Sequence, residues 1–297
     1  MGTKTVSSTH PYYKDGNVVK NPYGPTIYQS TINDFDNKPK EEVIPEPKRN
    51  HKLHMQYRNE AKDSINDGID GSVDIVYAGS VAKGTYVEGI SDVDNHVRIN
   101  GTSLEKKSPA EVKAYIRQQL SKLPNVKSVT ETRRTVTATY RDGTEMQYVP
   151  VIKTKNGYRV ADGNNWSNVV YENRFKRDFQ RTNKKCGGRL TALVRFLKKE
   201  NADNPKSQWM SGHHIEVMAN RIFKSAPASK THDVGTMAVY YHQHASRHIR
   251  HRMRDVTGQY TYVDKRSLGG PDSESRRALS RRFASRARRM NRSGGNQ

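Results

Sequence analysis

The sequence of 297 residues holds a single cysteine, Cys186. That excludes a disulfide framework and a zinc site built on cysteine. No apolar run approaches the roughly 18 residues of a membrane-crossing helix, so none is expected. Residues 1–30 lack a basic segment followed by an apolar one, so no secretory leader is expected and a cytoplasmic location is. Hydrophobic residues make up 33 % of the chain and mean hydropathy is −0.97, a polar balance for a globular protein. Acidic residues are also in short supply: 30 Asp and Glu face 52 Lys and Arg, a net charge of +22. A surplus this large implies an anionic partner, whether nucleotide, nucleic acid or membrane surface.

The surplus is localised. Residues 1–50 are nearly neutral, with seven basic and six acidic side chains, whereas residues 244–297 hold fourteen basic and four acidic. Two stretches contain no acid: Arg181 to Lys199, and Arg276 to Arg292 with its eight arginines. Each is either a solvated helix face or a surface that neutralises phosphates.

Residues 1–48, rich in Pro, Asn, Asp, Lys and Tyr without a period, read as an extended arm. Leu53, Tyr57 and Ala61 predict a helix from about Arg49 to Ile65. Val73–Tyr77 predicts a strand closed by Gly79-Ser80, and Val93, Val97 and Ile99 predict another. Ser108-Pro109 opens a helix over 109–123. Thr135–Tyr140, the pair Asp142-Gly143 and Glu145–Ile152 predict a hairpin with a two-residue type I′ turn. Further on, Leu190/Leu193/Val194/Leu197 and Ile215/Met218/Ala219/Ile222 have helical spacing. A helix over about 235–254 and an Arg-rich one over about 273–290 complete the chain. The organisation expected is an arm (1–48), a mixed-sheet core (49–180) and a helical lobe (181–297), an α+β, bilobal architecture.

The chemistry concentrates in Gly79-Ser80-Val81-Ala82-Lys83-Gly84-Thr85 and Ser91-Asp92-Val93-Asp94. On a strand, Asp92 and Asp94 point to one face, about 7 Å apart at the backbone, and can converge on divalent metal. Mg²⁺ is the natural guest when phosphates supply further oxygen ligands. A Gly-Ser turn at a helix N-terminus can hold a triphosphate through backbone N–H groups and the hydroxyl. Gly79-x₄-Gly84-Thr85 echoes a P-loop but lacks the lysine after the second glycine. His244 and His248 have zinc-ligand spacing, yet flanking arginines repel a cation, and no Glu or Cys joins them in sequence. Cys186 beside Gly187-Gly188 reads as a residue at a helix start.

Gly-Ser, about ten residues, then Asp-x-Asp resembles the nucleotidyltransferase superfamily of DNA polymerase β. The sequence is similar to the branch containing oligoadenylate synthetases, cyclic GMP-AMP synthase and their bacterial anti-phage relatives. Tyr148-Val149-Pro150, then Tyr158, Asp162 and Trp166, Leu193 to Lys198, and Ser211 to Glu216 continue that likeness over residues 50–290. The resemblance implies a bilobal nucleotidyltransferase fold and two-metal nucleotidyl transfer with Mg²⁺ (or Mn²⁺) at Asp92 and Asp94. It also implies nucleoside triphosphate substrates bound at Gly79, Ser80, Gln147, Lys198 and His213. The product would be an untemplated linear or cyclic oligonucleotide signal in antiviral defence, read by a downstream effector protein. DNA or RNA as activator, primer or product, and a homo-oligomer, are further partners in that branch; a membrane is not. His213 falls where the branch places a base-stacking aromatic, with Trp209 as another platform. One departure is clear: the third metal-binding carboxylate of the family falls on Gln147. An amide offers one weak carbonyl ligand and cannot act as a base. Either Glu145, two residues earlier on the same strand face, stands in as a catalytic carboxylate, or the site works with two carboxylates and is weak. The rival is a catalytically impaired protein of this fold that binds nucleic acid through its basic C-terminal half.

Overall fold

A computed structural model describes residues 13–14, 17–18, 48–87, 89–264 and 266–294. Most of the expected N-terminal arm lies outside the described residues; Tyr13–Lys14 (β1) and Asn17–Val18 (β2) pair antiparallel. The next element, helix α1 (Lys48–Asn66), buries Tyr57, Ala61 and Ile65, one face at i, i+4, i+8. Strands β3 (Asp74–Tyr77), β4 (Val93–Arg98), β5 (Val126–Glu131), β6 (Val136–Tyr140) and β7 (Glu145–Lys153) form a sheet in the order β3-β4-β7-β6-β5. Strands β8 (Tyr158–Asp162) and β9 (Asn165–Val170) extend it from the far end of β7. Only β4 and β7 run parallel among these pairs, with Asp94 opposite Gln147.

Helix α2 (Pro109–Leu120) starts as the sequence predicts. Ser108 Oγ accepts from the Glu111 amide, and the Glu111 carboxylate accepts from the Ser108 amide, a complete capping box over Pro109. Helices α1 and α2 cover one face of the sheet. Val112, Ile116 and Leu120 pack there with Val97, Ile99, Val136, Met146 and Tyr148. The Tyr57 ring stacks on Tyr140 at 3.7 Å between centroids, adding about 1 kcal/mol to their burial.

The β6–β7 connection differs from the two-residue turn. Among described residues the only non-glycine with positive φ is Asp272, so Asp142 is not in the left-handed region that a type I′ turn demands. Tyr140 and Thr144 close the hairpin, and the loop is Arg141-Asp142-Gly143 with only Gly143 left-handed. This is a three-residue turn, one that asks for a single glycine.

The second half is helical: α3 (Glu172–Lys185), α4 (Arg189–Ala202), α5 (Gly212–Lys224), α6 (Val234–His248) and α7 (Glu274–Gly294). They enclose a second core of Phe175, Phe179, Leu193, Ile215, Met218, Tyr241 and Phe283 among others. Two arginines of α7 belong to this interior. Arg276 is 0 % exposed; it donates to Asp264 at 2.8 Å and to the carbonyls of Ile249 and His251. Arg286 is 5 % exposed and lies 3.5 Å from Glu200, which also pairs with His242 at 3.0 Å. Part of the basic block is therefore internal scaffolding. Of the histidines on α6, His242 rather than the zinc-spaced His244 and His248 meets a carboxylate, one supplied by α4, which spacing within α6 cannot show. Cys186 is buried at the C-cap of α3, where burial pushes its thiol pKa up.

Candidate active site

A cavity of about 1150 Å³ opens between the sheet face opposite α1 and α2 and the helical lobe. Strand alternation supplies its floor: Asp94 and His96 of β4, and Gln147 and Val149 of β7, face the cavity. Val93, Val97, Met146 and Tyr148 face the core. Asp92 lies exposed just before β4, on the cavity side.

The Gly79-Ser80 turn abuts Asp94. Gly79 has φ +52, and a Cβ there would fall onto the Asp94 carboxylate, so glycine is required twice over. After Ser80 the chain forms a three-residue 3-10 turn, Val81–Lys83, rather than an α-helix. The helix N-terminus expected for triphosphate binding is absent there, and the turn's short length leaves Lys83 aimed back at it. Lys83 Nζ donates to the Gly79 carbonyl at 2.5 Å and lies 3.3 Å from Glu216.

Two like-charged carboxylates define the floor. Burial, and next the charge of Asp92, push Asp94 up to about 6, with Lys83 partly offsetting them. Among the described residues no three or more His, Cys, Asp or Glu side chains converge as a metal-ligand group. The donors at hand are Asp92, Asp94 and the Gln147 amide, all hard oxygens. They suit Mg²⁺, which binds through one or two carboxylates plus substrate phosphates and keeps water for the rest.

The lobes join through buried polar contacts beside this floor. Thr85 Oγ1 donates to Glu216 at 2.5 Å, Lys198 Nζ donates to the Thr85 carbonyl at 2.9 Å and to Glu216 at 3.0 Å, and Arg195 reaches the Gly84 carbonyl at 2.7 Å. Burial alone would raise Glu216, but Lys83 and Lys198 hold it well below the carboxylate range. His213 lies edge-on to Phe175 and donates to Asp255 at 3.0 Å. Burial disfavours its charge, yet Asp255 and Glu216 push its pKa up to about 9, so it is an imidazolium at neutral pH. Glu172, the first residue of α3, lies 3.4 Å from His96 on the wall; burial would raise it, but His96 and Lys83 hold it down.

No protein-family model and no curated protein sequence matches the chain. Solved structures do. Vibrio cholerae DncV cyclic AMP-GMP synthase superposes with a TM-score of 0.64 at 12 % identity, covering 91 % of each chain. The STING-associated CdnE c-di-GMP synthase of Capnocytophaga granulosa gives 0.62 at 15 % identity, covering 91 % of this chain and 99 % of that one. The Bradyrhizobium diazoefficiens CD-NTase CdnG gives 0.60 at 13 % identity over 89 % and 90 %. The chain has the CD-NTase fold. It is the expected α+β nucleotidyltransferase architecture, and identities this low speak to fold alone.

Within this CD-NTase fold, Gly79, Ser80, Asp92, Asp94, Gln147, Lys198 and His213 all line one cavity. Glu145 does not line it: it is exposed at the start of β7 and accepts from Thr139 Oγ1 at 3.4 Å. Lys198 is 3 % exposed and its ammonium is committed to Glu216 and Thr85. Sequence reasoning assigns no role to Lys83, His96, Glu172, Asp255 or Arg134. Lys83 belongs to the Gly-Ser segment and could have been found there; Glu172 and Asp255 gain meaning only from partners distant in sequence.

Proposed function

We propose that the protein is an untemplated nucleotidyltransferase that joins nucleoside triphosphates into a cyclic or linear oligonucleotide. The observation that carries this reading is the Asp92–Asp94 pair, mutually repelling and seated against Gly79-Ser80, on the floor of a cavity roomy enough for two nucleotides. A ribose hydroxyl attacks the α-phosphorus, the new P–O bond forms as the bond to the leaving oxygen breaks, and pyrophosphate departs. Asp92 and Asp94 would hold Mg²⁺, one ion or a pair, with Gln147 offering its carbonyl. Bound there, Mg²⁺ supplies Lewis-acid stabilisation of the charge on the phosphates and lowers the pKa of the attacking hydroxyl. Lys83 adds positive charge along the wall, whereas the His213 imidazolium is matched by Asp255 and stands as a fixed polar group there. Gln147 orients without accepting a proton, so proton removal falls to solvent or to a carboxylate of the floor.

The structural neighbours support a signal product. Vibrio cholerae DncV has been captured with the linear intermediate pppA(3′,5′)pG, and the Capnocytophaga granulosa enzyme is STING-associated. A defence role for this chain, with an effector protein downstream, is part of the proposal. DNA or RNA, as activator, primer or product, would meet the exposed Arg247, Arg277, Arg281 and Arg288 of α6 and α7, and a steep fall of binding with salt is expected. The decisive experiment incubates the protein with Mg²⁺ and mixtures of labelled ATP, GTP, CTP and UTP, with and without DNA or RNA. Pyrophosphate and an oligonucleotide product are expected; no release under any condition overturns the reading.

A further inference from the structure

At the cavity's edge, Arg134 stands in the loop before β6 with the two N–H groups of Nη1 unspent. Its Nε donates to Asp162 Oδ1 at 3.1 Å, and the Tyr260 ring covers the guanidinium, its centroid 4.5 Å from Cζ. Its Nη1 is buried and has no hydrogen-bond partner. A buried charged donor left unpaired is unfavourable, and a ligand acceptor that reaches it relieves that cost. Asp162 is shared: Arg133 Nε also donates to it at 2.7 Å, so one carboxylate faces two guanidinium groups. Tyr260 is anchored from the helical lobe, its amide donating to Asp255 at 3.0 Å, the carboxylate that also holds His213. Arg134, Asp162 and Tyr260 all line the cavity.

A planar cation, aromatic-capped on one face and half-neutralised, is matched to in-plane acceptors. A triphosphate drawn by a divalent ion belongs at Asp92 and Asp94. That leaves this wall for a base. Guanine presents two adjacent acceptors, O6 and N7, to an arginine; adenine sets its N6 amino donor against it. We infer that Arg134 reads the O6/N7 edge of a guanine base, with Tyr260 holding the guanidinium plane, and makes one nucleotide position of the cavity selective for guanine. The inference rests on the cavity being a nucleotide site.

Binding is measured by calorimetry with Ca²⁺ in place of Mg²⁺, for GTP, ITP, 7-deaza-GTP, ATP and inorganic tripolyphosphate. On the unaltered protein, ITP, which keeps O6 and N7, binds like GTP, while 7-deaza-GTP and ATP bind about 10-fold or more weakly. Arg134→Met brings GTP down to ATP and leaves tripolyphosphate within about two-fold; Arg134→Lys, which keeps charge but loses the planar fork, recovers only part. Equal affinity for GTP, 7-deaza-GTP and ATP on the unaltered protein overturns the inference, even if Arg134→Met does not fold. So does an Arg134→Met loss shared by every triphosphate and by tripolyphosphate, which would make Arg134 a phosphate contact. Both of those outcomes leave the nucleotide site standing; no binding of any triphosphate removes the site and the inference together.

Discussion

The Asp92–Asp94 pair and the Glu200–Arg286–His242 cluster both place acidic groups at or below the surface, and they are opposites. Glu200 is met by Arg286 at 3.5 Å and His242 at 3.0 Å, and Asp264 is likewise met by Arg276 at 2.8 Å. Asp94 instead carries the repulsion of Asp92 with only partial relief from Lys83, and its pKa rises to about 6. Matched charge marks scaffolding, because a carboxylate inside a helical lobe persists only when paired. Mismatched charge at a cavity floor is the repulsion that the proposed divalent ion would relieve. Lys198–Glu216 sits between the two, lining the cavity yet internally neutralised.

The largest effect tests the mismatched side. Asp92→Asn with Asp94→Asn should abolish pyrophosphate release, by about a thousand-fold or more, since the divalent ion loses both carboxylates. Near-normal release would move the site. The same double change should raise the Tm of metal-free protein at pH 8 by about 3 °C, because it removes the repulsion between the two carboxylates. Next is the matched side. Arg286→Met should cost about 3–5 kcal/mol by leaving Glu200 buried and short of its cation, whereas Arg277→Ser on the exposed face of the same helix should stay within about 0.5 kcal/mol. Denaturant titration of both reads the contrast, and equal costs would break it. Gln147→Glu adds a third carboxylate beside Asp94 in register. It should tighten Mn²⁺ binding about 10-fold, seen by paramagnetic relaxation, and destabilise the metal-free form.

The smallest effect is in pH. His213 has its pKa raised from 6.5 to about 9 by Asp255 and Glu216 against the cost of burial. A raised cationic pKa stabilises fully below the unfolded value and is lost as pH climbs through the folded one. Tm should therefore fall between pH 6.5 and about 9, and Asp255→Asn should flatten that slope. Asp94 works the other way for ligand binding: below about pH 6 it protonates, and divalent affinity should fall with it.

Much of the frame is legible because it is written locally. The capping box at Ser108, the i, i+4 face of α1 and the alternation of β6 need no distant partner. Helix α3 leaves a weak trace in sequence because Phe175 and Phe179 are its only apolar anchors among charges. Strand β5 is a polar edge, largely exposed and without an apolar alternation. In sequence β8 and β9 stand out as motif residues, Tyr158, Asp162 and Trp166, rather than as a pair of strands.

The element pattern, the Gly-Ser and Asp-x-Asp chemistry and the positive surplus are properties of the sequence alone. The element pattern depends on residues within a turn or two of one another, the motif on a spacing of about a dozen residues, and the surplus on a count over the chain. Which charges are spoken for is a property of the folded chain. Lys198 meets a carbonyl 113 positions away, and Arg286 meets a side chain 82 positions away. Arg277 stays on the surface, while Arg276, next to it in the chain, is sealed inside. Adjacent residues of one helix face different ways, so composition counts their charges alike while burial separates anchor from surface.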